Sequence, residues 1–300
     1  MCIRDSLHIT QCSSERAHGT WQDIMLDLSL PTIAEILAST HLLSRPDART
    51  KVVRVHERFA VKYGGRTTVL EADNLKYLSA HSTVPITKLY AVLKDPDRIY
   101  IVMEFIEGQT LEKALPSLNA TAREDVLIQL QAVLSQLRSI PSPGYLGSVN
   151  RQPFNDGIFR ADTTNPARCG PFTSQQDMNE AMLQTLAEEC VPAYVRLLRQ
   201  IVESTMQNHR TVFTHADLQA KNVMLRKADI KRDDGTQMFD VVLIDWEMSG
   251  WYPEYWEFCS ATCMDGLKPK WLDMVREIMP AYLNEYMLLK TVRTYVLHLA

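Results

Sequence analysis

Residues 213–225, FTHADLQAKNVML, set His215, Asp217 and Asn222 into one short polar interruption between apolar runs. A plain hydrophilic turn asks for no such combination. A second apolar run, FDVVLIDW at 239–246, ends on Asp245 and Trp246. Two such runs separated by the charged stretch KADIKRDDG (227–235) predict a β-hairpin with a solvated tip. Folding back, that hairpin would bring Asn222 and Asp245 together.

Such a grouping has a chemistry. Phosphoryl transfer needs a carboxylate to orient the attacking hydroxyl, oxygen ligands for magnesium on the phosphates, and a lysine on the phosphates. Magnesium prefers hard oxygen ligands, usually one or two protein groups completed by substrate and water. Asp217 could face a hydroxyl, while Asn222 and Asp245 could hold the metal. His215 reads best as a core histidine bonded to backbone, supporting the loop without reacting.

The chain around this loop has 300 residues, 46% apolar and 23% charged, enough for a sizeable buried core. The formal net charge of −4 leaves no basic footprint for nucleic acid. No apolar run reaches the roughly 20 residues of a membrane helix. The six cysteines form no C-x-x-C pair, so zinc and disulfides are not expected and a cytoplasmic protein is. Met1–Ser6, MCIRDS, resemble a translated sequencing adapter and are set aside from fold reasoning.

Upstream, KVVRV (51–55), the break HER and FAVKYGG (59–65) predict a hairpin. EADNLKYLSAH (71–81) predicts a helix with Ala72, Leu75 and Leu78 on one face. ITKLYAVLKDPDRIYIVMEF (86–105) predicts two strands about Asp95-Pro96-Asp97, and Gly108 breaks the pattern. Beyond it helices dominate. Thr121 to Glu124 fits a capping box, with Val126, Leu127, Leu130, Val133, Leu134 and Leu137 at helical spacing behind it. Residues 141–175 are rich in Pro, Gly, Asn and Asp and predict a long irregular excursion. Helices are expected near 176–189 and 193–208, a short strand at TVFTH (211–215), and mostly helix after Pro253.

H-x-D-x-x-x-x-N, a hairpin and then I-D-W resembles the aminoglycoside phosphotransferase and choline kinase branch of the protein-kinase-like fold, over about residues 50–260. His215-Ala216-Asp217 stands where that family usually has His-Gly-Asp, and Ile244-Asp245-Trp246-Glu247 matches its metal-binding segment. WEMSGWYPEYWEF (246–258) looks like the continuation found in fungal members. The resemblance implies an α+β, bilobal protein-kinase-like fold with a small β-rich N-lobe and a larger helical C-lobe. The expected divisions are an N-terminal extension over 1–50, the N-lobe with nucleotide-binding strands and hinge over 51–107, and the C-lobe with catalytic loop and acceptor site over 108–300. It implies an ATP-dependent phosphotransferase with Mg2+, acting on a hydroxyl of a small molecule.

By the same resemblance Asp217 is catalytic and Asn222 and Asp245 bind metal. Lys62 contacts phosphate, with Glu71 as its ion-pair partner. IYIVMEFIEG (99–108) looks like the hinge, where the Glu104 carbonyl and the Ile106 amide would bond adenine. One departure is that VVRVHERFAV (52–61), the hairpin expected over the phosphates, holds no glycine. Trp251, Tyr252, Tyr255 and Trp256, interleaved with Glu247, Glu254 and Glu257, could hold a cationic substrate. As large aromatics they read more readily as core. The alternatives are a protein kinase, disfavoured by the missing D-F-G and A-P-E, a nucleotide-binding pseudoenzyme, and an ATP-independent metal hydrolase. The acceptor, turnover, oligomeric state and authentic N-terminus are not legible in the sequence.

Overall fold

The computed structural model describes residues 29–65, 67–159, 165–232, 235, 237–263 and 268–297. Met1–Ser6 and the hairpin-tip residues Asp233 and Asp234 lie outside that set. The chain divides into two units, one running to Ala80 and resuming at Ile86–Glu107, the other taking His81–Pro85 and everything from Gly108.

The first unit is built on an antiparallel sheet. Helix α1 (Ile33–Ala38) precedes β1 (Thr50–Val55), β2 (Phe59–Gly64), helix α2 (Leu70–His81), β3 (Leu89–Lys94) and β4 (Ile99–Glu104), and the strand order is β1-β2-β4-β3. Strand alternation sorts the side chains onto two faces. Val53, Val55, Phe59, Val61, Tyr100 and Val102 form one core together with Ile36 of α1. Lys62, between Val61 and Tyr63, takes the opposite face, opposite Val52 on one side and Ile101 on the other. α2 buries Ala72, Leu75 and Leu78, the face its spacing predicts.

The edge of β1 is covered from upstream. Leu42 bridges Val53, Arg54 N donates to the His41 carbonyl (2.9 Å), and Ser44 N donates to Val52 (3.3 Å). The β1–β2 turn sits at the other end of the strand. Its His56 and Glu57 both have positive φ, 50° and 59°.

In the second unit β5 (Gln109–Thr110) pairs with β7 (Val223–Lys231), and β7 pairs with β8 (Gln237–Leu243). This is the hairpin read from the sequence. Gly108 is required here, since a Cβ would lie 2.3 Å from the Leu225 carbonyl oxygen. The strand TVFTH joins neither neighbour in sequence: β6 (Thr211–Thr214) pairs with β9 (Gly250–Pro253).

Among the described residues the helices of this unit are α3 (Leu111–Ala114), α4 (Ala120–Ser139), α5 (Pro166–Cys169), α6 (Gln175–Ala187), α7 (Pro192–Thr205), α8 (Trp256–Cys263), α9 (Pro269–Ile278) and α10 (Leu283–Leu297). α4 buries Val126, Leu127, Leu130, Val133, Leu134 and Leu137. Its cap differs from the expected box. Asn119 is the N-cap, its side chain accepting the Ala122 N–H at 2.8 Å, so Thr121 already lies inside the first turn. Asparagine is among the strongest N-caps, and two residues upstream it starts the helix first. Gln129 of α4 then closes the β8 edge, donating to the Phe239 carbonyl (2.7 Å) and accepting Val241 N–H (2.9 Å). No helix among the described residues is long and apolar enough to cross a membrane.

Candidate active site

The loop between β6 and β7 carries His215, Asp217 and Asn222, all buried. The Asn222 amide donates to both the Asp217 carboxylate and the Asp217 backbone carbonyl, each at 2.8 Å. Gln219 donates its side-chain amide to the other Asp217 oxygen. Both carboxylate oxygens are therefore fixed by amides on the same loop. Burial and the neighbouring Asp245 push the Asp217 carboxyl up to about 6, against the opposing pull of Lys221, Gln219 and Asn222.

The β7–β8 hairpin brings Asp245 to this loop. Val223 pairs with Leu243, and Ile244 N donates to the Asn222 carbonyl at 3.0 Å. The Ile244 carbonyl is 3.0 Å from His215 Nε2, while His215 Nδ1 accepts the Asp217 N–H at 3.2 Å. One ring nitrogen accepts and the other must then donate, which is the neutral imidazole. Burial lowers the His215 pKa, agreeing with that form despite the nearby Glu257 and Asp245 charges. Trp246, fully buried, packs on the His215 ring with centroids 4.5 Å apart. Asp245 itself takes a left-handed conformation (φ 67°, ψ 61°) and starts the 3-10 turn Trp246–Met248. A non-glycine residue held there marks a turn determined by its surroundings.

The aromatic segment resolves toward core. Trp251, Tyr252, Tyr255 and Trp256 are each no more than 2% exposed. Of their three carboxylates, Glu254 pairs with Arg210 (2.8 Å), and buried Glu257 accepts the N–H groups of His215 (2.7 Å) and Ala216 (3.1 Å). The cationic-substrate reading of these rings therefore does not fit.

In the first unit, Lys62 Nζ lies 2.7 Å from Glu71 Oε2, both side chains buried. The Glu104 carbonyl accepts the Thr87 hydroxyl at 3.0 Å, which leaves a carbonyl oxygen one further lone pair. Among the described residues the buried Ile106 offers a backbone N–H with no partner. Buried N–H groups are nearly always paired. The β1–β2 turn lies against this segment, Phe105 N donating to the Arg58 carbonyl at 2.7 Å. That position does not suit the phosphate cover expected of VVRVHERFAV, because Lys62 is level with Val52 and Ser44, away from the turn.

A profile described as the phosphotransferase enzyme family (APH) matches residues 34–286. The chain belongs to that family. It is therefore a phosphotransferase, and its two units are one built on an antiparallel sheet and one that is largely helical. Among solved structures, an aminoglycoside-3'-phosphotransferase of type VIII is similar at 16% identity over 84% of this chain and 90% of that chain, with a TM-score of 0.49. An aminoglycoside phosphotransferase from Streptomyces rimosus is similar at 16% identity over 85% and 92%, also with a TM-score of 0.49. No curated protein matches the chain.

Three features of this phosphotransferase escaped the sequence reading. Gln219 is a polar residue inside the motif, and only the folded loop turns it onto Asp217. Lys221 lies in the same loop and acts on Asp217 through charge. Glu257 stands some 40 positions from its partners in the chain, and no local pattern marks it.

Proposed function

We propose that this phosphotransferase moves the γ-phosphate of ATP to a hydroxyl of a small molecule. The observation that carries the reading is the buried Asp217 carboxylate, fixed at both oxygens and adjacent to Asp245. Asp217 orients the acceptor hydroxyl and takes its proton. Positioning and preorganised charge supply most of the rate in such transfers.

Asn222 and Asp245 suit magnesium. The Asn222 NH2 is spent on Asp217, so its carbonyl oxygen is the atom left for a cation, and Asp245 adds a carboxylate. When bound, the ion neutralises charge on the phosphate oxygens. Lys62, oriented by Glu71, contacts the α- and β-phosphates. The Glu104 carbonyl and the Ile106 N–H bond adenine, and the segment from Ser44 to Arg49 replaces the glycine-free turn as phosphate cover.

Calorimetric titration of ATP with and without magnesium, on the wild type and on Asp245→Ala, tests this. Magnesium-dependent binding abolished by Asp245→Ala is the expected result, and it justifies screening hydroxyl acceptors. ATP binding without metal dependence in both proteins would make the chain a nucleotide-binding pseudoenzyme. No ATP binding by folded wild type would overturn the nucleotide site altogether.

A further inference from the structure

The Glu104 carbonyl accepts the Thr87 hydroxyl on the side of β3, and the β1–β2 turn holds the same segment from its other side. The Glu104 carbonyl and the Phe105 N–H belong to one peptide unit. In a trans peptide they point opposite ways, so a partner that holds one sets the direction of the other. The partner is the Arg58 carbonyl, 2.7 Å from Phe105 N. The Arg54 guanidinium covers the same residue from the side, 4.0 Å above the Phe105 ring.

The turn that carries Arg58 is itself in an unusual state. His56 and Glu57 are consecutive left-handed residues without a glycine between them, a conformation that residues with a Cβ rarely adopt. Contacts from outside and within the turn hold it there. Arg54 Nε donates to the Glu57 carbonyl at 3.1 Å, and Arg58 N donates to the His56 carbonyl at 2.6 Å. His56 Nε2 meets Glu35 of α1 at 3.1 Å, and its ring sits edge-on to Phe59. The Glu35–His56 contact is exposed and therefore weak. Arg54 is the member that touches both the turn and Phe105.

Phe105 borders an open surface hollow of about 270 Å³, shared with Arg54, Glu57, Arg58, Tyr90 and Glu107. On this solvent-facing side the contacts of the turn are the ones that bear on the segment. We propose that Arg54 is a positioning residue for base recognition: it holds the β1–β2 turn against Phe105 and so fixes the Glu104 carbonyl and the Ile106 N–H for adenine. This rests on the proposed role of those two groups.

The test is the affinity of Arg54→Met and His56→Asn for Mg–ATP and for Mg–GTP, by calorimetry on the full chain. Methionine keeps an apolar stem over Phe105 but has neither the cation nor the Nε donor. Asparagine tolerates the left-handed conformation but is too short to reach Glu35. Arg54→Met is expected to weaken ATP about tenfold, the scale of one cation–π contact and one hydrogen bond, and to leave GTP unchanged. His56→Asn is expected to weaken ATP about twofold, the scale of an exposed pair. Equal losses for ATP and GTP, or no loss for ATP, would overturn the role of Arg54 while leaving the adenine reading in place. A wild type that does not prefer ATP to GTP would instead remove the adenine reading, and this proposal with it.

Discussion

The carboxylate of Glu257 accepts the backbone N–H of Ala216 at 3.1 Å, and Ala216 stands at φ 66° in the left-handed region. The same carboxylate accepts the His215 N–H at 2.7 Å. A single buried acid from α8 thus holds two consecutive peptides of the loop that carries Asp217. The Ala216 Cβ opposes that conformation at a cost of about 1–2 kcal/mol. Glycine at this position would not incur it.

Ala216→Gly should accordingly stabilise the protein. Removing the Cβ relieves the strain, and the added freedom of the unfolded chain offsets about 0.5–1 kcal/mol of the gain. A net increase of about 0.5–1 kcal/mol in urea unfolding is the expected outcome. A loss of stability would mean that the methyl group packs usefully enough to outweigh its strain.

Glu257→Gln should cost both stability and turnover. Glutamine presents one acceptor and one donor where the loop offers two donors, so one buried N–H loses its partner. That omission costs about 1–3 kcal/mol, visible in the denaturation midpoint. Displacement of the loop by a fraction of an ångström should lower kcat by about ten- to a hundredfold, with KM for the nucleotide nearly unchanged. A variant with wild-type kcat would show that Glu257 stabilises the fold without positioning Asp217.

The sequence made the local structure legible and the distant partnerships illegible. Alternation around Lys62 and the run VVLID predicted the strands, because strand faces are set by neighbours two residues apart. The hairpin placing Asp245 beside Asn222 followed from two apolar runs and a charged tip. The pairing of β6 with β9 did not, since edge pairing outside a hairpin depends on the packing of the whole unit. The role of Glu257 was not legible for a related reason, although the aromatics around it read correctly as core. Its partners are backbone N–H groups, which every residue possesses and no sequence pattern advertises. The cap of α4 failed on competition between two good signals, with Asn119 two residues ahead of Thr121.

His215 gives the protein an acid-labile component. Burial holds its folded-state pKa below the ordinary 6.5. The unfolded chain therefore binds the proton more readily, and stability present above pH 6.5 is lost as pH falls through that value toward the folded one. A single such group contributes a slope of up to about 1.4 kcal/mol per pH unit. His215→Asn keeps an acceptor near the Asp217 N–H but cannot take up the proton. Its stability, lower at neutral pH, should decline less steeply than that of the wild type below pH 6.5. Parallel curves from urea unfolding at several pH values would rule out His215 as the source.

Lys62 and Glu71 should be worth far more to each other than to the fold. Both are buried, at 6% and 2% exposure, with 2.7 Å between their charged atoms. Removing one partner strands the other charge in a low-dielectric interior, which costs about 3–5 kcal/mol. Lys62→Met alone and Glu71→Leu alone should each destabilise the protein by that order in chemical denaturation. The double variant should recover much of the loss, because two apolar side chains replace the pair with no charge left over. Both singles and the double should lose phosphate-dependent ATP affinity to a similar extent if Lys62 contacts the phosphates. A double variant as unstable as the sum of the singles would show the two residues to be energetically independent, and the ion pair to be incidental.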